Sequence, residues 1–417
     1  MDISIQLHRF REMLALVLET NGFYRRKLTE AGITRPEDVQ TFNDYRQFPF
    51  TTKEELSEDQ VSHPPYGTNL TFPLERYICL HRTSGTTGAP LRWLDTTESW
   101  DWWGKCWREI YDAAGVTSAD RLMPAFSFGP FIGFWSAYHG AQQLGALTIA
   151  NGGFTSGQRI RAILSNDVTV LICTPTYALR LAEVAEEDGI NLCEESSVRV
   201  TIHAGEPGAS LPATKERIEN SWGARAYDHA GATEVGAWGV MCESQAGVHL
   251  NENEFICEVL DPETGHPTDA GELIITNLGR IGMPVIRYRT GDYVKLKSTP
   301  CECGRKSRVL ESGVMGRVDD ALIIRGLNVY PATIENIILE FPEVREFAVR
   351  AYKTETFDEI EIQVESTNPR PMDTATAVTT AIQDILGLRA VVKSVPLGTL
   401  PRYELKSKRF TDQRKID

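Results

Sequence analysis

The chain has 417 residues, more than one average domain, so two or three compact units with buried cores are expected. Its hydrophobic fraction of 41% is that of a globular protein, and no stretch approaches the roughly 18 consecutive apolar residues of a membrane span. A net charge of −14 with a pI of about 5.2 is the wrong sign for a surface that neutralises many phosphates, so no nucleic-acid partner is expected.

The opening residues place Leu7, Phe10, Leu14 and Val17 at helical spacing with charges between them, which predicts an amphipathic helix and no secretion signal. Without export, the eight cysteines read as reduced thiols or metal ligands of a cytoplasmic protein. Residues 79–93, CLHRTSGTTGAPLRW, crowd hydroxyls and glycines into one loop. Such a loop either closes its backbone N–H groups around phosphate oxygens or is a polar turn. From about 119 to 235, short apolar runs alternate with amphipathic ones: DVTVLICTP and VRVTIHAGEP predict strands, TYALRLAEVAEEDG and LPATKERIENSW helices. That rhythm predicts an α/β domain with a parallel sheet covered by helices. After 236, FICEVLDPETG, GELIITNL and VIRYRTGDYVKLK read as strands between Gly, Pro and Asp turns, a β-rich unit over about 236–314. From about 319, helix, strand, strand, helix and strand patterns predict a small α+β unit, and Gly313 and Gly316 flank the junction.

No GxxxxGK[ST], strand-borne GxGxxG, HExxH or GxSxG is present, which removes support for the corresponding nucleotide-binding, metalloprotease and hydrolase chemistries. The hydroxyl loop is instead accompanied, in order, by HAGEP at 203–207 after a strand, YDHAGATE at 227–234 after another, YRTGD at 288–292 ending a third, GRVDDALIIRGLNVYP at 316–331, and LPRYELKSKR near the end. Together these segments resemble the adenylate-forming superfamily of acyl-CoA synthetases, adenylation domains and luciferases. Chain length, RGLNVYP and CECGR are most similar to its phenylacetate-CoA ligase branch. The resemblance implies a large N-terminal AMP-binding domain over 1–316 and a small mobile C-terminal domain over 317–417, the latter rotating between two half-reactions. It also implies activation of a carboxylate by ATP to an acyl-adenylate, with pyrophosphate release, followed by transfer of the acyl group to coenzyme A.

Site roles follow from the same resemblance. Ser84, Gly85, Thr86, Thr87 and Gly88 match the loop around the β- and γ-phosphates, although Leu91 follows Pro90 where many members have lysine. Ala204, Gly205, Glu206 and Pro207 match the segment lining adenine, with Asp228 and His229 beside the nucleotide. Asp292 matches the carboxylate that accepts both ribose hydroxyls. Thr233 matches the α-phosphate contact and Glu234 the carboxylate associated with Mg²⁺. Arg317 matches an arginine near the ribose, Asp319 the hinge residue, and Lys406 the mobile lysine that offsets charge on the attacked carboxylate and α-phosphate. Ala230 replaces an aromatic of many relatives, and Leu405 stands where glycine commonly precedes the lysine.

The aromatic run at 125–141 lies where relatives line the acid, giving Phe126, Phe128, Phe131 and Trp135 as candidate pocket residues alongside His203, Ala230 and Gly231. An aromatic wall favours a small aryl acid of the benzoate, aminobenzoate or phenylacetate kind over a long acyl chain. The same aromatics serve equally well as core, and His203 and His229 as structural histidines. Cys242 and His249, with Cys301 and Cys303, form a three-thiol, one-imidazole set that suits a closed structural zinc site. The spacing alone leaves zinc and isolated thiols open, and a comparable metal site in some relatives favours zinc. The expected cofactors are therefore ATP, Mg²⁺, coenzyme A and structural zinc. A separate carrier protein is the alternative acceptor, a non-catalytic nucleotide binder on this scaffold the alternative function, and a homodimer an open assembly.

Overall fold

The structure is a computed structural model that describes residues 3–83, 90–318, 322–324, 327–353, 358–404 and 406–415. The opening helix, Ile3–Thr20, buries Leu7, Phe10, Met13, Leu14 and Val17, and the Phe10 ring meets Tyr45 edge-on at 5.2 Å. No helix among the described residues is long and apolar enough to cross a membrane.

Among the described residues the largest sheet has eleven strands. One half runs Arg225–Ala232, Val200–His203, Val170–Cys173, Arg121–Pro124, Leu147–Thr148, all parallel. Val170–Cys173 and Val200–His203 are buried throughout, as central parallel strands covered by helices must be. The crossover helices are set by local chemistry. Thr174 caps Pro175–Glu187 by accepting from the Tyr177 N–H, and the proline at the first helical position leaves no donor wasted.

The other half of the sheet is antiparallel, and it contains the strands of the expected β-rich subdomain: Gly236–Met241, Val248–Leu250, Val309–Arg317, Tyr288–Leu296, Ala270–Asn277 and Phe255–Leu260. The reason lies at residues 233–235. Three residues are too few for a parallel crossover, so Gly236–Met241 turns back on the exposed edge of Arg225–Ala232 and extends the same sheet. Two motif placements change accordingly. Most of YDHAGATE lies within a strand rather than after one, and YRTGD opens Tyr288–Leu296 rather than ending a strand.

A second body has its own sheet, Val391–Val395, Asp358–Ser366, Val344–Lys353, Phe410–Asp412, covered by helices Pro331–Leu339 and Pro371–Leu386. Ile334, Ile338, Phe347, Ile360, Ile362, Val378 and Ile382 belong to a hydrophobic cluster separate from that of the larger body. Polar contacts join the two. Arg217 donates to the carbonyls of Leu339 and Val344, each at 2.8 Å, and to that of Phe341, closing the end of helix Pro331–Leu339.

Candidate active site

Ligands of open α/β sheets bind beyond the carboxyl ends of parallel strands, where the topology switches. Here the carboxyl ends of Val200–His203 and Arg225–Ala232 collect most of the described motif residues, while the strand order itself reverses between Arg121–Pro124 and Val170–Cys173. Ala204–Pro207 leave the strand directly, with Gly205 in a left-handed conformation at φ 95°. A Cβ on Gly205 would lie 3.1 Å from Lys406 Cε and 3.8 Å from its Nζ, so a residue 201 positions further along the chain covers this glycine.

The Glu206 side chain holds that arrangement. Its Oε1 accepts from the Thr176 N–H at the start of helix Pro175–Glu187, at 3.0 Å. Its Oε2 accepts from the Ser407 N–H at 2.9 Å and the Ser407 hydroxyl at 3.1 Å. The segment bearing Lys406 is thereby tied to the larger body. Sequence reading gave Glu206 to adenine and missed this tie, which has no local signature.

Asp292 lies opposite Arg317 in the antiparallel register, and their side chains meet at 3.3 Å. Arg317 also donates to the Thr290 carbonyl at 2.6 Å. A Cβ on Gly291 would fall 2.5 Å from the guanidinium, so only glycine lets Arg317 lie there. Burial pushes the Asp292 carboxyl up to about 6, with Arg317 and Lys406 pulling it back and Glu234 reinforcing the rise. Thr233 and Glu234 occupy the tight turn between Arg225–Ala232 and Gly236–Met241, and Glu234 is buried.

Tyr77–Arg82 and Arg92–Thr96, on either side of the phosphate-loop candidates in the chain, pair as an antiparallel hairpin. Its mouth is closed by Thr83 and Leu91: the Thr83 N–H donates to the Leu91 carbonyl and the Leu91 N–H to the Thr83 hydroxyl, both at 3.0 Å. Ser84, Gly85, Thr86, Thr87 and Gly88 lie outside the described residues, as does Asp319.

The aromatic run forms one cluster. Phe126 stacks on Phe128 at 4.3 Å, Phe134 lies 4.0 Å from Phe126, and Trp135 and Tyr138 meet Phe128 edge-on at 4.9 and 5.9 Å. Phe128 has φ 51°, a conformation that a bulky residue keeps only when its surroundings impose it. Trp135 remains 37% exposed, so the cluster has an open side, and Phe131, nearby in the chain, is 40% exposed. Ala230 is half-buried and Gly231 exposed at the end of their strand. His229 packs edge-on against Trp107 at 4.5 Å, and burial pushes its imidazole down to about 4, leaving it neutral.

His203 and Asp228 are engaged with neighbouring protein groups. His203 is fully buried, with Nε2 at 2.9 Å from the Thr201 hydroxyl and Nδ1 at 3.2 Å from the Cys173 carbonyl. Asp228 is buried and accepts from the Ser210 N–H at 2.7 Å, so it organises the turn at 208–210.

Away from this cleft, the ligand atoms of Cys242, His249, Cys301 and Cys303 all lie within 4.8 Å of one another. Cys242 Sγ and Cys301 Sγ are 3.6 Å apart, and Cys303 Sγ lies 3.4 Å from His249 Nε2. Four ligands at tetrahedral zinc, with Zn–S of about 2.3 Å, sit roughly 3.5–3.8 Å apart, and a disulfide of about 2 Å does not fit these distances. The His249 Nδ1 faces the Ser307 hydroxyl at 3.1 Å, which leaves Nε2 directed at the cluster.

The family model of the AMP-binding enzyme C-terminal domain matches residues 326–414. A phenylacetate-coenzyme A ligase of Thermus thermophilus is 31% identical, over 99% of this chain and 96% of its own. One from Escherichia coli is 30% identical, over 99% and 95%. Among solved structures, a 2-hydroxyisobutyryl-CoA ligase in its postadenylation state with 2-HIB-AMP superposes with a TM-score of 0.92 at 28% identity, over 98% of this chain and 89% of that one. The same enzyme with 2-HIB-AMP and CoA in the thioesterification state gives 0.73, over equal shares of each chain. The two bodies are thus arranged more like those of that ligase in its postadenylation state than in its thioesterification state.

Proposed function

The chain belongs to the phenylacetate-coenzyme A ligases of the adenylate-forming superfamily, an AMP-forming acid–thiol ligase by descent, and from that premise we propose that it activates a small aryl carboxylic acid with ATP and passes the acyl group to coenzyme A. The observation that carries the reading is the juxtaposition of Lys406, Gly205 and Asp292 where the parallel strands end. In the first half-reaction an oxygen of the acid forms a bond to the α-phosphorus as the bond to the β-phosphate oxygen breaks, and pyrophosphate leaves. Two anions must approach, and the Lys406 ammonium offsets their repulsion as charge builds. Thr233 would hold the α-phosphate, Asp292 the ribose hydroxyls, and Ser84–Gly88 the departing phosphates.

Glu234 offers the oxygen ligand that Mg²⁺ prefers, and Mg²⁺ when bound neutralises phosphate charge. In the second half-reaction the CoA sulfur bonds to the acyl carbon, AMP leaves and the thiol proton passes to solvent. The aromatic cluster of Phe126, Phe128 and Trp135, with Phe131 exposed nearby in the chain, supports an aryl acid, because flat rings stack on such walls.

The test is pyrophosphate release with ATP and Mg²⁺ across benzoate, aminobenzoate, phenylacetate and short hydroxy acids, with CoA or a carrier protein as acceptor. One aryl acid should dominate and yield its CoA thioester. Preference for an aliphatic hydroxy acid would overturn the aryl assignment, thioester on carrier protein alone would overturn the CoA acceptor, and silence across the panel would favour a nucleotide binder without turnover.

The three thiols and one imidazole fit zinc, and a fourfold protein ligand set leaves no open position, so the metal would be structural. Metal analysis of the purified chain should find one zinc per molecule. Cys242→Ser and Cys301→Ser should each lose it and lower Tm by on the order of 5 °C. A metal-free, fully stable parent protein would count against the assignment.

A further inference from the structure

Arg280 and Asp95 are the pair that motif reading had no reason to single out, and both side chains are completely buried, at 0% exposure. Arg280 Nε and Nη2 donate to the two Asp95 oxygens at 2.8 and 2.7 Å, a bidentate pairing. Its remaining arm, Nη1, donates to the backbone carbonyl of Thr233 at 2.5 Å and reaches that of Glu234 at 3.4 Å. Trp93 and Trp103 hold the guanidinium between their rings, 5.0 and 5.4 Å from its carbon.

A buried ion pair is a costly way to stabilise a core, since well-packed apolar residues of similar volume often do as well. What it supplies is direction, because a planar fork fixed at one end aims its other arm. Here the fixed end belongs to the strand Arg92–Thr96, which runs from the mouth of the hydroxyl-rich loop at Leu91 to Asp95. The aimed arm belongs to the turn that presents Thr233 and Glu234. We propose that Arg280 is a positioning residue: with Asp95 it braces the strand Arg92–Thr96 against the Thr233–Glu234 turn, so that the turn keeps one placement toward the nucleotide. This inference rests on the ligase reading above and adds to it a residue that never touches the nucleotide.

Arg280→Lys separates bracing from folding. The ammonium keeps a charge beside Asp95 but lacks the fork, so the Thr233 and Glu234 carbonyls lose their donor. Arg287→Lys is the matched control, because Arg287 forms a comparably buried pair with Glu258, with Nε at 2.9 Å from Oε2, in another part of the sheet. In the full chain, calorimetry with ATP and Mg²⁺ should show affinity falling about tenfold in Arg280→Lys. Pyrophosphate release should fall about 10- to 100-fold with the KM for the acid within about twofold, since a misaimed turn harms phosphate chemistry and leaves the acyl pocket alone. Arg287→Lys should keep both ATP constants near those of the parent.

Parental ATP affinity and release rate in a folded Arg280→Lys chain would overturn the proposal, and so would equal losses in Arg287→Lys. Should Arg280→Lys not fold, the isosteric Asp95→Asn is measured in its place and judged by the same two outcomes. A parent chain that binds ATP without releasing pyrophosphate would overturn the ligase reading instead, while the calorimetric comparison would still decide the brace.

Discussion

Lys406→Ala should lower pyrophosphate release about 10²- to 10³-fold, the cost of removing one preorganised group from developing charge, while thioester formation from supplied acyl-adenylate stays within about threefold of the parent. The selectivity follows from position. Lys406 belongs to the second body yet lies against Gly205 of the first, held there by the Glu206–Ser407 contacts. The related ligase in its thioesterification state superposes far less well, with a TM-score of 0.73 against 0.92, so the relation of the two bodies differs between its states. A lysine supplied by the moving body serves the half-reaction for which that body is docked as here. Stopped-flow or single-turnover assays of each half-reaction make the comparison, with Lys406→Arg as the control that keeps the charge and changes its shape. Equal losses in both half-reactions would assign Lys406 a structural role.

Much of this organisation is legible from sequence because it is locally encoded. The helix Pro175–Glu187 is announced by Thr174 and Pro175, the parallel strands by short apolar runs, and the motifs by residues adjacent in the chain. What escapes is what depends on distant partners. Arg280 and Asp95 are 185 residues apart, and neither stands in a motif. Glu206 stands in one, but its carboxylate faces Thr176 and Ser407, which no spacing reveals. His203 reads as a site residue from its place beside HAGEP, yet burial depends on which strands flank it. The β-rich segment reads as a subdomain because composition changes at 236, but the three-residue turn at 233–235 that joins it to the parallel strands in one sheet has no signature of its own.

The contacts between the two bodies have a common chemistry. Glu404 accepts from the Ser156 hydroxyl at 3.3 Å, Arg345 meets Glu186 at 3.4 Å, Arg402 meets Glu183 at 3.7 Å, and Arg217 donates to three backbone carbonyls. The exposed pair of Arg345 and Glu186 is worth about 0–1 kcal/mol, because water replaces either partner readily. Each body has its own main apolar cluster, and of the larger body's buried residues Ala213 joins that of the smaller. An interface made mostly of polar contacts between two such cores is one that can open without unfolding either side.

Asp292→Asn should weaken ATP binding about 10- to 100-fold, the range for hydrogen bonds to a charged acceptor, and should also abolish a pH dependence that the parent shows. Burial pushes the Asp292 carboxyl up to about 6 from its ordinary 3.8, so below that pH the folded protein carries it protonated. A protonated carboxyl spends one oxygen as a donor and accepts both ribose hydroxyls poorly. Parent affinity should therefore be full above about pH 7 and fall as the pH drops through about 6, the carboxyl's own range. Hydrogen bonds donated by the ribose favour the ionised form, so bound nucleotide lowers this pKa and binding near pH 6 releases a proton. Calorimetry at about pH 6 in two buffers of different ionisation enthalpy measures that proton directly. An asparagine side chain cannot titrate, so the Asp292→Asn variant should show neither the release nor the fall in affinity. A parent chain that binds without proton release, with affinity flat between about pH 5.5 and 7.5 on the scale of the shift cited, would remove Asp292 from the ribose site.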